Sequence, residues 1–365
     1  MIVVQVVATA FGIALVLSTL VSALKTVVVP RAYQTRLTRM HFLALRRVFD
    51  RLARPSRSFA ERDRVMAPYA PLALVTLPGV WVALIILGFT CIFWGTGVHP
   101  FHEAFVTSGS SLLTLGFVRP SGTARVAVAF LEAGIGLGLV SLMISYLPTI
   151  YSAFSRREAL VGQLEVRAGL PPSPSELLVR HQRIGWLDQL DDDLFKDWEE
   201  WFVNVEESHT SQPSLVFFRS PRPERSWITA AGCVLDTAAI VKSSVDLPHD
   251  SRAQIVIRAG YLCLRRVADF FQIPYDPDPQ PDDPISVTRE EFDEVLVTLA
   301  GEGVPLYADR DQAWRDFVGW RVNYDGVLIA LCALVMAPPA AWSSDRMPSR
   351  RFKVPLRRPK QRPLP

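Results

Sequence analysis

The sequence predicts an all-α membrane protein with three transmembrane helices, a re-entrant segment between the second and the third, and a helical cytoplasmic domain after them. Two observations lead to this fold class. Of the 365 residues, 49% are apolar although 21% are charged, so the apolar residues must be concentrated in part of the chain. They are concentrated in the first 154 residues, where three long apolar runs occur.

The first predicted transmembrane helix occupies residues 1–24, which carry no charged side chain. A run of about 20 apolar residues is enough to cross a hydrocarbon core of about 30 Å. A cleaved signal peptide is the alternative interpretation. Residues 1–5 lack the positive charge that normally precedes the apolar part of a signal peptide, which favours a retained helix.

Residues 25–66 are predicted to form a basic cytoplasmic loop. Eleven Lys and Arg side chains lie in this segment against three Asp and Glu. Short cytoplasmic loops carry an excess of Lys and Arg, so the loop is expected inside the cell and the N-terminus outside. The expected location is the cell membrane, with a multi-pass topology.

Residues 67–157 contain the other two predicted spans, within Ala70–Trp94 and Ala124–Phe154, and a segment between them that is too apolar for an ordinary external loop. Residues 101–113 predict a short helix, because Pro100 suits a first turn and Glu103 suits the positive end of a helix dipole. Such a helix rises only about 20 Å and is too short to span. The stretch that follows, SLLTLGFVRP at residues 111–120, either lines a pore or is a plain turn.

The order of span, short helix, Thr-x-Gly-aromatic and span resembles the potassium-channel superfamily. Thr114, Leu115, Gly116 and Phe117 look like the first four residues of its Thr-Val-Gly-Tyr-Gly selectivity filter, with Val118 in fifth place. Residues 147–173 are also similar to actinobacterial membrane proteins assigned to the potassium-channel family. The resemblance implies a passive channel for monovalent cations, with potassium as the permeating ion, no other cofactor, and four identical chains around one pore.

Two residues depart from this pattern. Val118 stands where the family has its second glycine, and Arg119 stands where the family often has an acid. A ring of arginines at the mouth would repel cations unless Glu103 or Glu132 neutralises each one. These departures favour the alternative function, a non-conducting membrane sensor or scaffold that keeps the channel fold with a degenerate filter.

Glu132 lies in the third span, where a carboxyl group is costly unless it is paired, hydrogen-bonded or protonated. One interpretation is a strut that reaches Ser108, Ser111 or Arg119 and holds the filter. The other is a functional acid whose titration shifts gating. Both stay open at this point.

Three residues of the same span are candidates for a gating hinge: Gly134, Gly138 and Pro148. Glycines spaced by four residues also allow two helices to approach closely, so packing is the alternative for Gly134 and Gly138. Pro148 frees the carbonyl of Ile144 and favours a kink near the cytoplasmic end of the helix.

Residues 158–343 are predicted to form a helical cytoplasmic domain that regulates or assembles the pore. Ser173 with Glu176, and Thr288 with Glu291, have the spacing of capping boxes at helix starts. Apolar side chains at spacings of three and four between Asp188 and Val205 predict an amphipathic helix. The sequence does not identify the ligand of this domain.

No enzymatic site is predicted. The candidate acids and histidines are scattered, and the sequence contains no HExxH, GxSxG or glycine-rich phosphate loop. The four cysteines have no CxxC spacing and are expected to be buried free thiols. Residues 344–365 predict a disordered basic tail. The expected partners are further copies of the chain and membrane lipids, with no nucleic acid.

Overall fold

The computed structural model describes residues 2–29, 35–54, 58–247 and 251–348. Within these ranges every regular element is helical, and one isolated antiparallel bridge joins Val245 and Leu306. The chain divides into two compact units, residues 1–57 with 65–152, and residues 58–64 with 153–365. The all-α prediction is therefore confirmed for the described residues.

The first unit is built from three long apolar helices, one basic helix and one short helix. They are α1 (Ile2–Val27), α2 (Arg36–Leu52), α4 (Tyr69–Gly95), α5 (Phe101–Leu112) and the first part of α6 (Thr123–Ala168), while α3 (Phe59–Met66) precedes α4 and falls mainly in the second unit. Among the described residues, three helices are long and apolar enough to cross a membrane: α1, the stretch Phe59–Gly95, and α6. Each of the three predicted spans coincides with one of them.

The helices α1 and α4 pack antiparallel through small residues. Thr9 lies against Gly95, and Gly12 and Val16 lie against Gly88. A Cβ atom at Gly88 would be 2.7 Å from the Cγ2 atom of Val16, so the backbones approach more closely than larger residues permit. Small residues allow this kind of contact between membrane helices.

The predicted basic loop contains two helices, α2 and α3, with described residues up to Arg54 and from Ser58 onwards. The Thr38 hydroxyl lies 2.9 Å from that of Thr26 at the end of α1. The phenol of Tyr69, at the start of α4, donates to the Phe42 carbonyl at 3.2 Å. The basic helix α2 therefore packs where α1 ends and α4 begins.

The second unit is a helical bundle around one apolar core. After the end of α6 it contains α7 (Pro174–Arg183), α8 (Lys196–Ser211), α9 (Trp227–Ser244), α10 (Ser251–Phe271), α11 (Arg289–Gly301), α12 (Arg310–Arg321) and α13 (Asp325–Val335). The helix α9 is buried along nearly its whole length and lies at the centre. The apolar stripe predicted between Asp188 and Val205 is buried, but the α-helix covers only its second part, because Leu187–Gln189 form a 3₁₀ turn and Asp191–Phe195 a π-helical turn before α8 begins.

Helices α12 and α13 are apolar enough together to pass as one further span, but the chain bends by 53° between them. Phe317, Leu328 and Leu331 are fully buried in the core of the second unit. Both helices therefore contribute to the folded core of this unit.

Two details of the second unit differ from the sequence predictions. The capping box at Thr288 and Glu291 is confirmed, but the one at Ser173 is wrong, because the Ser173 hydroxyl bonds to that of Ser175 and makes no cap bond. Ser344–Arg346 form a 3₁₀ turn, and Arg346 pairs with Glu291, so the folded chain extends beyond the predicted boundary at residue 344. Residues 349–365 of the predicted tail lie outside the described residues.

Candidate functional site: the α5 helix and its return segment

The short helix α5 runs back alongside α4 instead of away from it. It begins at Phe101, a few residues after α4 ends at Gly95, and its Ser108 hydroxyl lies 3.1 Å from the Ile86 carbonyl. Ile86 is about 14 Å along α4 from that end, at 1.5 Å per residue. The twelve residues of α5 therefore lead from the end of α4 back to its middle part.

The chain then returns without helical structure through residues 113–122, which we call the return segment. At its far end Arg125 of α6 donates from Nη2 to the Thr96 carbonyl at 2.6 Å, beside the end of α4. From there α6 runs in the same direction as α5, and Gly136 lies against Leu112. The short helix predicted over residues 101–113 is confirmed, and a non-helical segment follows it as expected.

The turn from α5 into the return segment is a Schellman motif. The N–H groups of Thr114 and Leu115 donate to the carbonyls of Ser111 and Ser110 at 3.0 and 2.9 Å. Thr114 occupies the left-handed position of the motif, with φ of 54°. A β-branched residue resists this conformation, so the backbone is strained at this position.

Gly116 has φ of 71°, so left-handed backbone recurs two residues after Thr114. A Cβ atom at Gly116 would have no atom within 4 Å. Leu115 and Phe117 are 59% and 65% exposed. Four of the five predicted filter residues, Thr114 to Phe117, thus lie on an open face of the chain.

Val118 is the exception, since it is half-buried and tied to α5. Its N–H donates to the Ser110 hydroxyl at 3.2 Å. Ser110 therefore holds the return segment at two points, through its carbonyl and its side chain. The sequence did not single out Ser110, because nothing distinguishes it from the neighbouring serines.

Within the described part of the chain, neither of the two carboxylates considered from the sequence neutralises Arg119. Glu103 lies beside His102, with 3.7 Å between Oε1 and Nδ1, and Glu132 contacts Ser108. Arg119 is exposed and makes no ion pair with a described residue.

Glu132 is fully buried and lies between the helices. Its Oε1 atom is 2.5 Å from the Ser108 hydroxyl, so of the three partners considered from the sequence, Ser108 is the one in contact. The Ser111 hydroxyl donates to the Thr107 carbonyl instead. Glu132 therefore connects α6 to α5 just before the return segment.

Of the glycines in α6, the one in close contact is Gly136, which the sequence did not single out. It is buried, and a Cβ atom there would overlap the carbonyl oxygen of Leu112. Gly134 and Gly138 are exposed, and a Cβ atom at either would meet nothing within 4 Å. The helix continues without interruption through Pro148 to Ala168.

In the second unit, two buried arginines hold the structure together. Arg157 of α6 donates to the carbonyls of Leu215 and Phe218 at 2.8 and 2.7 Å and lies 3.0 Å from His209. Burial and the Arg157 charge lower the pKa of His209 well below its usual value. His209 is therefore neutral and accepts a hydrogen bond from Arg157.

The second buried arginine, Arg321, bonds to Asp236, Asp325 and the Trp342 carbonyl. A third pair lies within the same unit, where Arg219 Nη1 donates to Asp63 of the segment 58–64 at 2.5 Å. Asp63 stands three residues before Met66, the last residue of α3. These groups are satisfied structural pairs.

Among the described residues, no group of three or more His, Cys, Asp or Glu is placed to hold a metal ion. Cys233, Cys263 and Cys332 are buried free thiols, and Cys91 is half-buried and free. The chain matches no protein-family model, no curated protein and no solved structure. The geometry of the return segment is therefore the basis for the function proposed below.

Proposed function

We propose that this chain is one subunit of a channel that conducts monovalent cations, potassium first, passively across the cell membrane. The observation that carries the proposal is the path of α5 and the return segment, which enters beside α4 to the level of Ile86 and comes back to the level of Thr96. Non-helical backbone at membrane depth is tolerated where protein covers it or where it lines a water-filled cavity.

The open face of the return segment supports an ion path. Gly116 and the exposed Leu115 and Phe117 would be uncovered apolar groups in a single chain, and further copies of the chain would cover them. One return segment cannot surround an ion. Four copies related by a rotation axis would present rings of backbone carbonyls from residues 114–118, which replace the hydration shell of the ion.

The second unit is proposed to assemble or regulate the pore. Two helices of the first unit are continuous in sequence with it. The helix α6 continues past Ser152 to Arg157, and α4 begins a few residues after Asp63. Since Arg157 and Asp63 are both held in the second unit, a rearrangement there would act on both helices.

A non-conducting sensor or scaffold is the second candidate function. The observation that favours it lies at Val118 and Arg119. Val118 is bound to Ser110 through its N–H group, and Arg119 adds an unneutralised positive charge beside the exposed residues. Repulsion of cations at this position would prevent conduction while the helical architecture persists.

The proposal is tested with the purified full chain reconstituted in liposomes with a potassium gradient. The expected result is a potassium flux that exceeds the sodium flux, with no chloride flux above that of protein-free liposomes. The detergent-solubilised protein should have the mass of four chains after the detergent is subtracted. A stable monomer, or liposomes indistinguishable from protein-free ones, would instead favour the scaffold.

A further inference from the structure

Three helices of the first unit meet at a small buried polar cluster. The Ser108 hydroxyl of α5 lies 2.5 Å from Glu132 Oε1 of α6 and 3.1 Å from the Ile86 carbonyl of α4. The Thr90 hydroxyl also donates to this carbonyl, at 2.7 Å. Ser108, Thr90 and Glu132 are all fully buried, so water does not complete their hydrogen bonds from the surface.

The hydrogen atoms of this cluster can be counted. A serine hydroxyl has one hydrogen to donate, whereas a carbonyl and an ionised carboxylate can only accept. With an ionised Glu132, Ser108 would face two acceptors and could donate to one of them. With a protonated Glu132, the carboxyl donates to Ser108 and Ser108 donates to Ile86, so both contacts become hydrogen bonds.

The surroundings of Glu132 also favour the protonated carboxyl group. Its Oε2 atom is buried and has no hydrogen-bond partner among the described residues. Within the first unit, the titratable groups on the elements packed here are Tyr69 and Cys91 of α4, His102 and Glu103 of α5, Arg119 of the return segment, and Arg125, Tyr146 and Tyr151 of α6. None of them forms an ion pair with Glu132; Arg125 is bonded to Thr96, and Glu103 lies beside His102.

An ionised carboxylate buried without a cation and with one oxygen unbonded is strongly unfavourable, whereas a neutral carboxyl in the same place leaves only a carbonyl oxygen unsatisfied. We therefore infer that Glu132 carries a proton at neutral pH and acts as a hydrogen-bond donor, in a chain that runs from Glu132 to Ser108 to the Ile86 carbonyl. Glu132 is a positioning residue for the end of α5.

This chain fixes the depth of α5 relative to both long helices. Ser108 lies one helical turn before Leu112, the last residue of α5, and Ser110, which holds the return segment, lies between them. A carboxylate at residue 132 would add a buried charge and leave one Ser108 hydrogen for two acceptors, so α5 would keep its hydrogen bond to α4 or to α6 but not to both. The inference that Glu132 is protonated does not depend on conduction. Any consequence for ion flux rests on the proposed function.

Infrared difference spectroscopy of the detergent-solubilised full chain tests the inference. At pH 7 the wild type minus Glu132→Gln spectrum should contain the carbonyl band of one protonated carboxyl group per chain, and this band should shift in heavy water. The Gln side chain can donate to Ser108 through its amide, so the variant should stay folded. Glu103→Gln is the matched control, and its difference spectrum should lack the band.

Ser108→Ala provides an independent measurement that keeps Glu132 itself. The loss of the partner should move the carboxyl band to higher frequency. A carboxylate band in place of the carboxyl band in the wild-type difference spectrum would overturn the inference, and so would a Ser108→Ala spectrum unchanged in this region. Because neither readout requires ion flux, their failure is distinguishable from failure of the channel proposal.

Discussion

Gly136 of α6 lies directly against the carbonyl group of Leu112 in α5, and a Cβ atom at residue 136 would be 3.1 Å from the carbonyl carbon and would overlap its oxygen. Any side chain at this position must push the two helices apart. Since Leu112 ends α5, the displacement would reach the return segment immediately.

We therefore expect Gly136→Ala to destabilise the first unit by about 1–3 kcal/mol, the usual cost of overpacking. Gly134→Ala and Gly138→Ala are matched controls on the same helix, because their Cβ atoms would meet nothing within the chain. Thermal unfolding followed by circular dichroism in detergent measures the difference. Equal losses in all three variants would show that the contact with Leu112 does not set the stability.

Arg321 is expected to be the most sensitive residue of the second unit. It is fully buried and bonded to Asp236 and Asp325, so Arg321→Met leaves two buried carboxylates without their cation. Removing one partner of such a pair costs about 3–5 kcal/mol. Arg315→Met, on the exposed face of the same helix, should change the unfolding free energy little. Similar denaturation midpoints for the two variants would refute a structural role for the buried cluster.

His209 should make the second unit less stable in acid. Its pKa in the folded protein is well below the usual value near 6.5, so the unfolded chain binds a proton that the folded chain does not. The stability contribution is present above about pH 6.5 and falls by up to about 1.4 kcal/mol per pH unit below it.

The measurement is the denaturation midpoint between pH 7.5 and 5.5, read from the tryptophans of the second unit. His209→Gln keeps an acceptor for Arg157 but does not titrate, so its midpoint should fall less steeply than that of the wild type. His102→Gln, at an exposed position, should keep the wild-type slope. A His209→Gln slope equal to that of the wild type would contradict the assignment.

The charge at residue 119 should control the cation flux. Arg119 is exposed next to the proposed ion path, so Arg119→Gln should raise the flux in liposomes and Arg119→Asp should raise it further. Val118→Gly introduces the second glycine of the potassium-channel filter pattern and, on the proposed function, should preserve or increase the preference for potassium over sodium. Fluxes that are independent of the charge at residue 119 would place this side chain away from the path.

The sequence predicted the elements of the first unit more accurately than their contacts. Long apolar runs determine helices directly, so each of the three predicted spans coincides with a helix, and Pro100 with Glu103 located the start of α5. The contact made by Gly136 could not be predicted, because Gly134, Gly136 and Gly138 look alike until the rotation of α6 is known. In the same way, Ser108 was one of three possible partners for Glu132.

In the second unit, capping shows the same limit. Thr288 and Ser173 begin similar motifs, yet the Ser173 hydroxyl is taken by Ser175 and only Thr288 caps its helix. The pairing of Arg321 with Asp236 joins residues that are 85 positions apart, and no local pattern indicates it. Contacts of this kind depend on tertiary packing, which one sequence does not reveal.

The potassium flux of Gly116→Val, compared with that of Gly122→Val, tests the central claim most directly. Both glycines have positive φ, 71° and 89°, and open space around them, so valine strains the backbone at either position. Only Gly116 lies in the proposed ion path. We expect Gly116→Val to abolish potassium flux in liposomes while the protein remains a folded tetramer, and Gly122→Val to retain flux with the wild-type ion preference. Wild-type flux and selectivity in Gly116→Val would remove residues 114–118 from the pore and contradict the account.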